Sequence, residues 1–194
     1  MERAALDLRA RALADGNPAE AAALLTDHGI PAPLLLWRPE PADLPTPELR
    51  FLDAYWRGLA APPEQPLARR VEPFDLKPAL GHIMLLDLVE AGWDFRYRLY
   101  GSKIAAHAGF DMTGLLVSQL KSSPVAARFY LAVYRAVLHA GAPILTRHRA
   151  PADQVSATWN RLILPLWGED GAIVRLLVGN VPTPAAEWPG PSGA

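Results

Sequence analysis

Between Asn160 and Asn180 the chain carries two alternating runs around Gly168-Glu169-Asp170-Gly171, and both runs are apolar at odd and even positions alike. In the first, Leu162, Leu164 and Leu166 point one way and Ile163, Pro165 and Trp167 the other; in the second, Val174, Leu176 and Val178 oppose Ile173 and Leu177. Side chains alternate along a strand, so a hairpin apolar on both faces belongs to a sheet that water reaches on neither side. Two covering layers are therefore required. One side is expected to carry small helices and a cavity, the other the N-terminal helices, a second subunit, or both.

Proline divides the rest of the chain. The 194 residues include 20 prolines, about twice the usual share. Residues 1 to about 28 are alanine-rich, with a helix start at Asn17-Pro18-Ala19-Glu20 and a stop at Gly29. Six prolines between Ile30 and Pro47 exclude regular helix and imply an extended connection. Thr46-Pro47-Glu48 then opens a capped helix whose Leu49, Leu52, Tyr55, Trp56 and Leu59 form one apolar stripe, a suitable cover for a sheet face in cis or in trans. Three more prolines end it between Ala60 and Pro66.

After residue 67 the pattern changes to strands. His82 to Val89 is followed by a turn at Glu90 to Asp94 and by Phe95 to Tyr100, apolar at 95, 97 and 99. Ser102 to Ala108 reads as a short helix closed by Gly109. Ser123-Pro124 starts a longer one to about His139, with Val125, Phe129, Val133 and Val137 along one side, and Ile144 to Arg149 is a further strand. Hairpin-linked strands imply an antiparallel sheet with helices on one face, an α+β fold. The divisions are 1–66, a helical extension and proline-rich connection; 67–181, the α+β domain; and 182–194, a proline-rich tail.

Catalytic signatures are scarce. Without cysteine there is no disulfide, thiolate metal site, thiol nucleophile or cysteinyl flavin adduct. The five histidines, His28, His82, His107, His139 and His148, show no metal-ligand spacing, so no metal is expected. A single imidazole, His107 or His139, is the one route to haem, and lone histidines are more often structural. Asp111-Met112-Thr113-Gly114 reads as a turn fixed by its own side chains. Arg147-His148-Arg149 with Arg161 is either an anion site or, as favoured here, the solvated charge of a sheet edge. A net charge of −1 gives no general attraction to nucleic acid or membrane. No signal-peptide block and no spanning run is present, so a cytoplasmic protein is expected.

Several stretches together carry a family resemblance. They are Tyr55-Trp56, Leu67-Ala68-Arg69-Arg70, Phe74-Asp75, Phe95-Arg96-Tyr97-Arg98-Leu99, Gly101-Ser102-Lys103-Ile104, Gly109-Phe110-Asp111-Met112-Thr113-Gly114 and Leu162-Ile163-Leu164-Pro165-Leu166. In order and spacing, residues from about 55 to 181 resemble a proteobacterial PAS-like sensor family. The resemblance implies a five-stranded antiparallel sheet in the order 2-1-5-4-3, cupping an apolar cavity under its helices, in a protein that senses a small molecule or mediates dimerisation. Gly101 stands where many such sensors place an asparagine, and the cofactor is left unidentified.

The cavity is expected to be lined by Tyr97, Leu99, Ile104, Phe129, Val133, Leu162, Leu164 and Leu176. The expected function is a sensory or interaction module, not an enzyme, acting as a homodimer with a regulatory protein partner and a small apolar ligand, without nucleic acid or membrane. One alternative is a ligand-free dimerisation scaffold whose core Phe129, Tyr130 and Trp159 pack solid. The other is a small-molecule enzyme with Asp87 or His82 in its pocket.

Overall fold

The strands Leu34–Trp37 (β1), Ile83–Val89 (β2), Asp94–Tyr100 (β3), Ile144–Arg149 (β4), Ala157–Trp167 (β5) and Ile173–Pro184 (β6) form one antiparallel sheet ordered β1-β4-β5-β6-β2-β3. This computed structural model describes residues 3–60, 65–120, 123–149 and 157–184. Five strands repeat the order expected from the sequence, and β1 adds a sixth at the edge. It lies in the proline-rich connection, in a proline-free window between Pro33 and Pro39, and pairs with Ile144–Arg147 of β4. Proline cannot donate to a ladder but does hold a chain extended, so prolines just outside a short strand favour it as an edge. β6 continues to Pro184, three residues into the proline-rich tail; the remainder of that tail lies outside the described residues.

The helices are Arg3–Ala14 (α1), Ala19–Thr26 (α2), Pro47–Gly58 (α3), Ser102–Ala108 (α4) and Pro124–Ala140 (α5). The Thr46 side chain caps α3 and the Ser123 side chain caps α5, each accepting from a backbone N–H three residues on. Gly109 and Gly141 end α4 and α5 in the left-handed conformation. The turn at 111–114 also forms as the side chains suggest, with Asp111 Oδ1 accepting from both the Thr113 N–H and hydroxyl.

Helices lie on both sheet faces. α3 covers one in cis, burying Leu49 and Leu52 against Leu145, Leu162, Leu164, Leu166 and Leu177. It approaches closely because β6 carries Gly179, where a Cβ would stand 2.6 Å from Leu49 and 2.9 Å from Leu52. Trp56 Nε1 fastens it by donating to the Pro165 carbonyl at 2.7 Å. α4 and α5 cover the other face, over Met84, Leu86, Phe95, Tyr97, Ile163, Leu176 and Val178. α1 and α2 pack on the back of α5, which is therefore buried nearly all round.

This arrangement corrects the expected cavity lining. Leu162 and Leu164 belong to the α3 face, whereas Leu176, on the adjacent strand, belongs to the α5 face. The pairing fixes this: Leu164 sits opposite Leu177, and Leu176 opposite Pro165. Leu99 also packs on the α3 side although Phe95 and Tyr97 face α5. Leu86 pairs with Tyr97 and Leu85 with Leu99, leaving Arg98 as an extra residue that inverts the alternation. Tyr97, Ile104, Phe129, Val133 and Leu176 do share the α5-side core.

Candidate functional site

The α5 face is apolar except across its middle, where Thr146 of β4, Arg161 of β5 and Asn180 of β6 stand side by side in register. The next cross-strand pair is His148 and Trp159. Arg161 is only 4% exposed and His148 only 2%. The expectation that these two belong to a solvated edge is therefore overturned: β5 lies between β4 and β6, β1 covers the outer side of β4, and α5 lies above both. Arg149 is exposed and Arg147 half-buried.

Arg161 is held by polar and aromatic neighbours. Its Nε donates to Asn180 Oδ1 at 3.4 Å and its Nη1 to the Tyr134 hydroxyl at 3.3 Å. Its guanidinium carbon lies 3.7 Å from the centre of the Tyr130 ring, a cation–π contact. The Tyr130 hydroxyl in turn shares a 3.0 Å hydrogen bond with His148 Nε2. Among the described residues no carboxylate pairs with Arg161. Burial alone would favour losing its charge, but the surrounding phenol oxygens hold it above the usual arginine range. Burial pushes the Tyr97, Tyr100 and Tyr134 hydroxyls up, keeping them neutral. Burial, reinforced by the Arg161 charge, holds His148 well below the usual histidine value, so it too is neutral. Two polar atoms on this face, Thr146 Oγ1 and His148 Nδ1, are buried without a hydrogen-bond partner.

Beside this row is a cavity of about 30 Å³, bounded by Tyr97, Tyr100, Tyr130, Trp159, Arg161 and Asn180, with Ser123 and Ala126 from the start of α5. Of the sequence-based candidates only Tyr97 lines it; Ile104, Phe129, Val133 and Leu176 are packed into the surrounding core. Arg161, Asn180, Tyr100, Tyr130 and Trp159 were not among them. The available clue was Arg161 itself: a charge one residue before a run apolar on both faces cannot reach solvent once both faces are covered.

Two roomier depressions, about 350 and 410 Å³, flank the turn at Gly168–Gly171, but both are open to solvent. Asp87 and His82, the candidate acid–base groups, lie away from the cavity. Asp87 accepts from Arg175 at 2.7 Å and from Arg98 at 2.9 Å, and His82 stands 3.8 Å from Glu48. Haem and flavin do not fit the residues present. The cavity has room for two or three water-sized positions, against several hundred Å³ for such a cofactor. His139 is bound to Asp7 on the outer side of α5, and the His107 ring stands edge-on to Trp159. Among the described residues no three metal-ligating side chains converge, and no helix is long and apolar enough to cross a membrane.

An antiparallel sheet of this order, with α4 and α5 over one face beside a small, partly enclosed cavity, defines an α+β class with a pocket on one sheet face. The PAS domain family matches residues 45–180, and the chain belongs to that family. The match begins just before α3 and so includes the cover of the second face. A solved structure titled an RNA-binding light-oxygen-voltage receptor is similar over 83% of this chain, at 15% identity and a TM-score of 0.48. The chain spans 42% of that receptor. No curated protein sequence matches it.

Proposed function

We propose that the chain is a sensory module that holds a small molecule in the Arg161 cavity and passes its occupancy to the helices packed around α5. The observation that carries this reading is a buried cation with no carboxylate partner among the described residues, set beside a small, partly enclosed cavity. A purely structural core has little use for such a group, because an apolar side chain of the same volume packs there without desolvating a charge. The lining is more polar than a wholly apolar ligand requires, so the ligand carries an acceptor group. The output in this reading is a contact with a second copy or a regulatory partner in the cytoplasm, made through α1 and α2. Membership of the proteobacterial PAS-like group, on the motifs from Tyr55 to Leu166, is part of the same reading. Nucleic acid is not, given a net charge of −1.

Native mass spectrometry before and after denaturation tests it. A small mass excess that disappears on denaturation is the expected result. A clean mass for the chain, unchanged after incubation with small-molecule extracts, would leave a ligand-free scaffold as the better account.

A further inference from the structure

The chemistry around the cavity narrows the ligand class. Of the five N–H bonds of Arg161, one on Nε and one on Nη1 are engaged by Asn180 and Tyr134, and one face of the guanidinium rests on Tyr130. The remaining Nη donors have no partner among the described residues. Because Asn180 accepts with Oδ1, its Nδ2 remains a donor beside them. Tyr97, Tyr100 and Ser123 add hydroxyls to the wall, and none of the lining residues is an aspartate or glutamate. A wall rich in donors, with one fixed positive charge and no negative one, is complementary to a monoanion. The planar guanidinium fork suits two acceptor oxygens held side by side better than a spherical ion.

Size limits the rest of the molecule. A space of about 30 Å³ accepts a group of three or four heavy atoms. Phosphate is larger and carries up to two charges against the single charge of Arg161. The aromatic walls of Tyr97, Tyr100, Tyr130 and Trp159 leave an apolar surface for one or two carbons.

We infer that the cavity is a recognition site for a monocarboxylate of one or two carbons, its oxygens on the free Nη donors of Arg161 and its carbon end against the tyrosine and Trp159 rings. This rests on the reading of the chain as a ligand-binding module and specifies what it binds. The carboxylate would complete the polar row and neutralise the buried charge. Asn180 and Tyr134 act as positioning residues, because they hold the guanidinium through Nε and Nη1.

The test is thermal and calorimetric titration of the full chain with formate and acetate, and with propionate and pyruvate as carboxylates too large for the space. Acetamide and propionamide serve as neutral isosteres, and chloride, nitrate and phosphate as other anions. Ligand at 100 times its Kd is expected to raise Tm by about 5–10 °C. Acetate or a near relative should do so while acetamide and phosphate do not. Arg161→Gln should lose about 10- to 100-fold in affinity, and Arg161→Lys should recover part of it, having the charge but not the fork. The comparison of acetate with acetamide uses the unmodified chain, so a variant that fails to fold does not blunt the test. Equal binding of chloride, nitrate and carboxylates would overturn the carboxylate class in favour of a general anion site. A neutral adduct in native mass spectrometry, with no anion binding, would overturn this inference but leave the sensory reading standing. No adduct and no binding by any member of the series would remove both.

Discussion

The two faces of the sheet are built from neighbouring residues of the same strands and are nonetheless different kinds of core. Under α3 the filling is almost entirely leucine, with Leu49 and Leu52 inserted over Gly179. Under α5 the corresponding row reads Thr146, Arg161 and Asn180, bordered by four tyrosines, a neutral histidine and a cavity. The α3 face also holds buried polar atoms without a partner, Asp53 Oδ1, Thr158 Oγ1 and Asn160 Oδ1, but its centre is aliphatic and carries no buried cation, so its part is chiefly stability. The α5 face differs in the charge it buries: Arg161 has Nη donors without a partner among the described residues, beside a cavity and the unpartnered Thr146 Oγ1 and His148 Nδ1. The outer layers differ in the same sense. α3 meets the sheet mainly through aliphatic contacts, whereas α1 adds a charged tie to α5 beside its buried Leu6, Ala10 and Leu13. Asp7 accepts from Arg135, His139 and Arg11, and Arg135 also donates to the Gly92 carbonyl and lies 3.9 Å over the Trp93 ring. The turn gripped there holds Glu90, Ala91 and Gly92 all at positive φ, a strained conformation for the first two.

The sharpest way to break the contrast is to substitute adjacent residues of β5. Leu162→Ala removes a fully buried side chain from the leucine face and should cost about 3 kcal/mol, a fall in Tm of about 10 °C. Arg161→Met, one residue earlier, should leave the ligand-free protein as stable as before or more so by about 1 kcal/mol, since an apolar side chain replaces a buried charge. Equal losses in chemical denaturation would mean that the two faces are the same kind of core. Next in size, Asp7→Asn should cost about 2 kcal/mol by leaving the buried Arg135 without its carboxylate. Faster hydrogen exchange confined to α1, α2 and the turn at 90–92 is the accompanying sign. Were protection lost across α3 as well, the outer layers would not be independent.

The smallest effect concerns pH. His148 titrates lower in the folded than in the unfolded chain, because burial and then Arg161 oppose its charge. The unfolded chain therefore binds the extra proton first, and stability falls as pH drops below about 6.5. His148→Gln should remove about 1–2 kcal/mol of that fall between pH 7 and 5, seen as a flatter acid limb in denaturant midpoints. His82 is also lowered by burial, against the pull of Glu48, and would supply the slope that remains.

Much of the fold was legible because local chemistry dictates it. Ser123-Pro124 and Gly141 bound α5, Gly109 ends α4, and the turn at 168–171 joins β5 to β6 as their composition implies. The helix over Leu49 and Leu52 was readable as a cover, though not that it serves in cis. β1 was hidden because four residues among prolines carry no periodicity of their own, and their partner is more than a hundred residues away in sequence.

The site was legible in part, and the limit is physical. Period-two alternation states that two sets of side chains diverge, but it is symmetric under exchange of the faces. Leu162 and Leu164 therefore looked as suitable for the cavity as Leu176. Only the pairing of β5 with β6, and the extra residue at Arg98, settled which parity looks toward α5. By itself the sequence determined that the sheet has two apolar faces, that helices must cover them, and where most elements begin and end, since caps, turns and alternation act over a few residues. The tertiary structure alone decided that Arg161 is buried, because burial depends on β4 and β6 flanking β5 and on α5 lying above, neither of which is local to the residue.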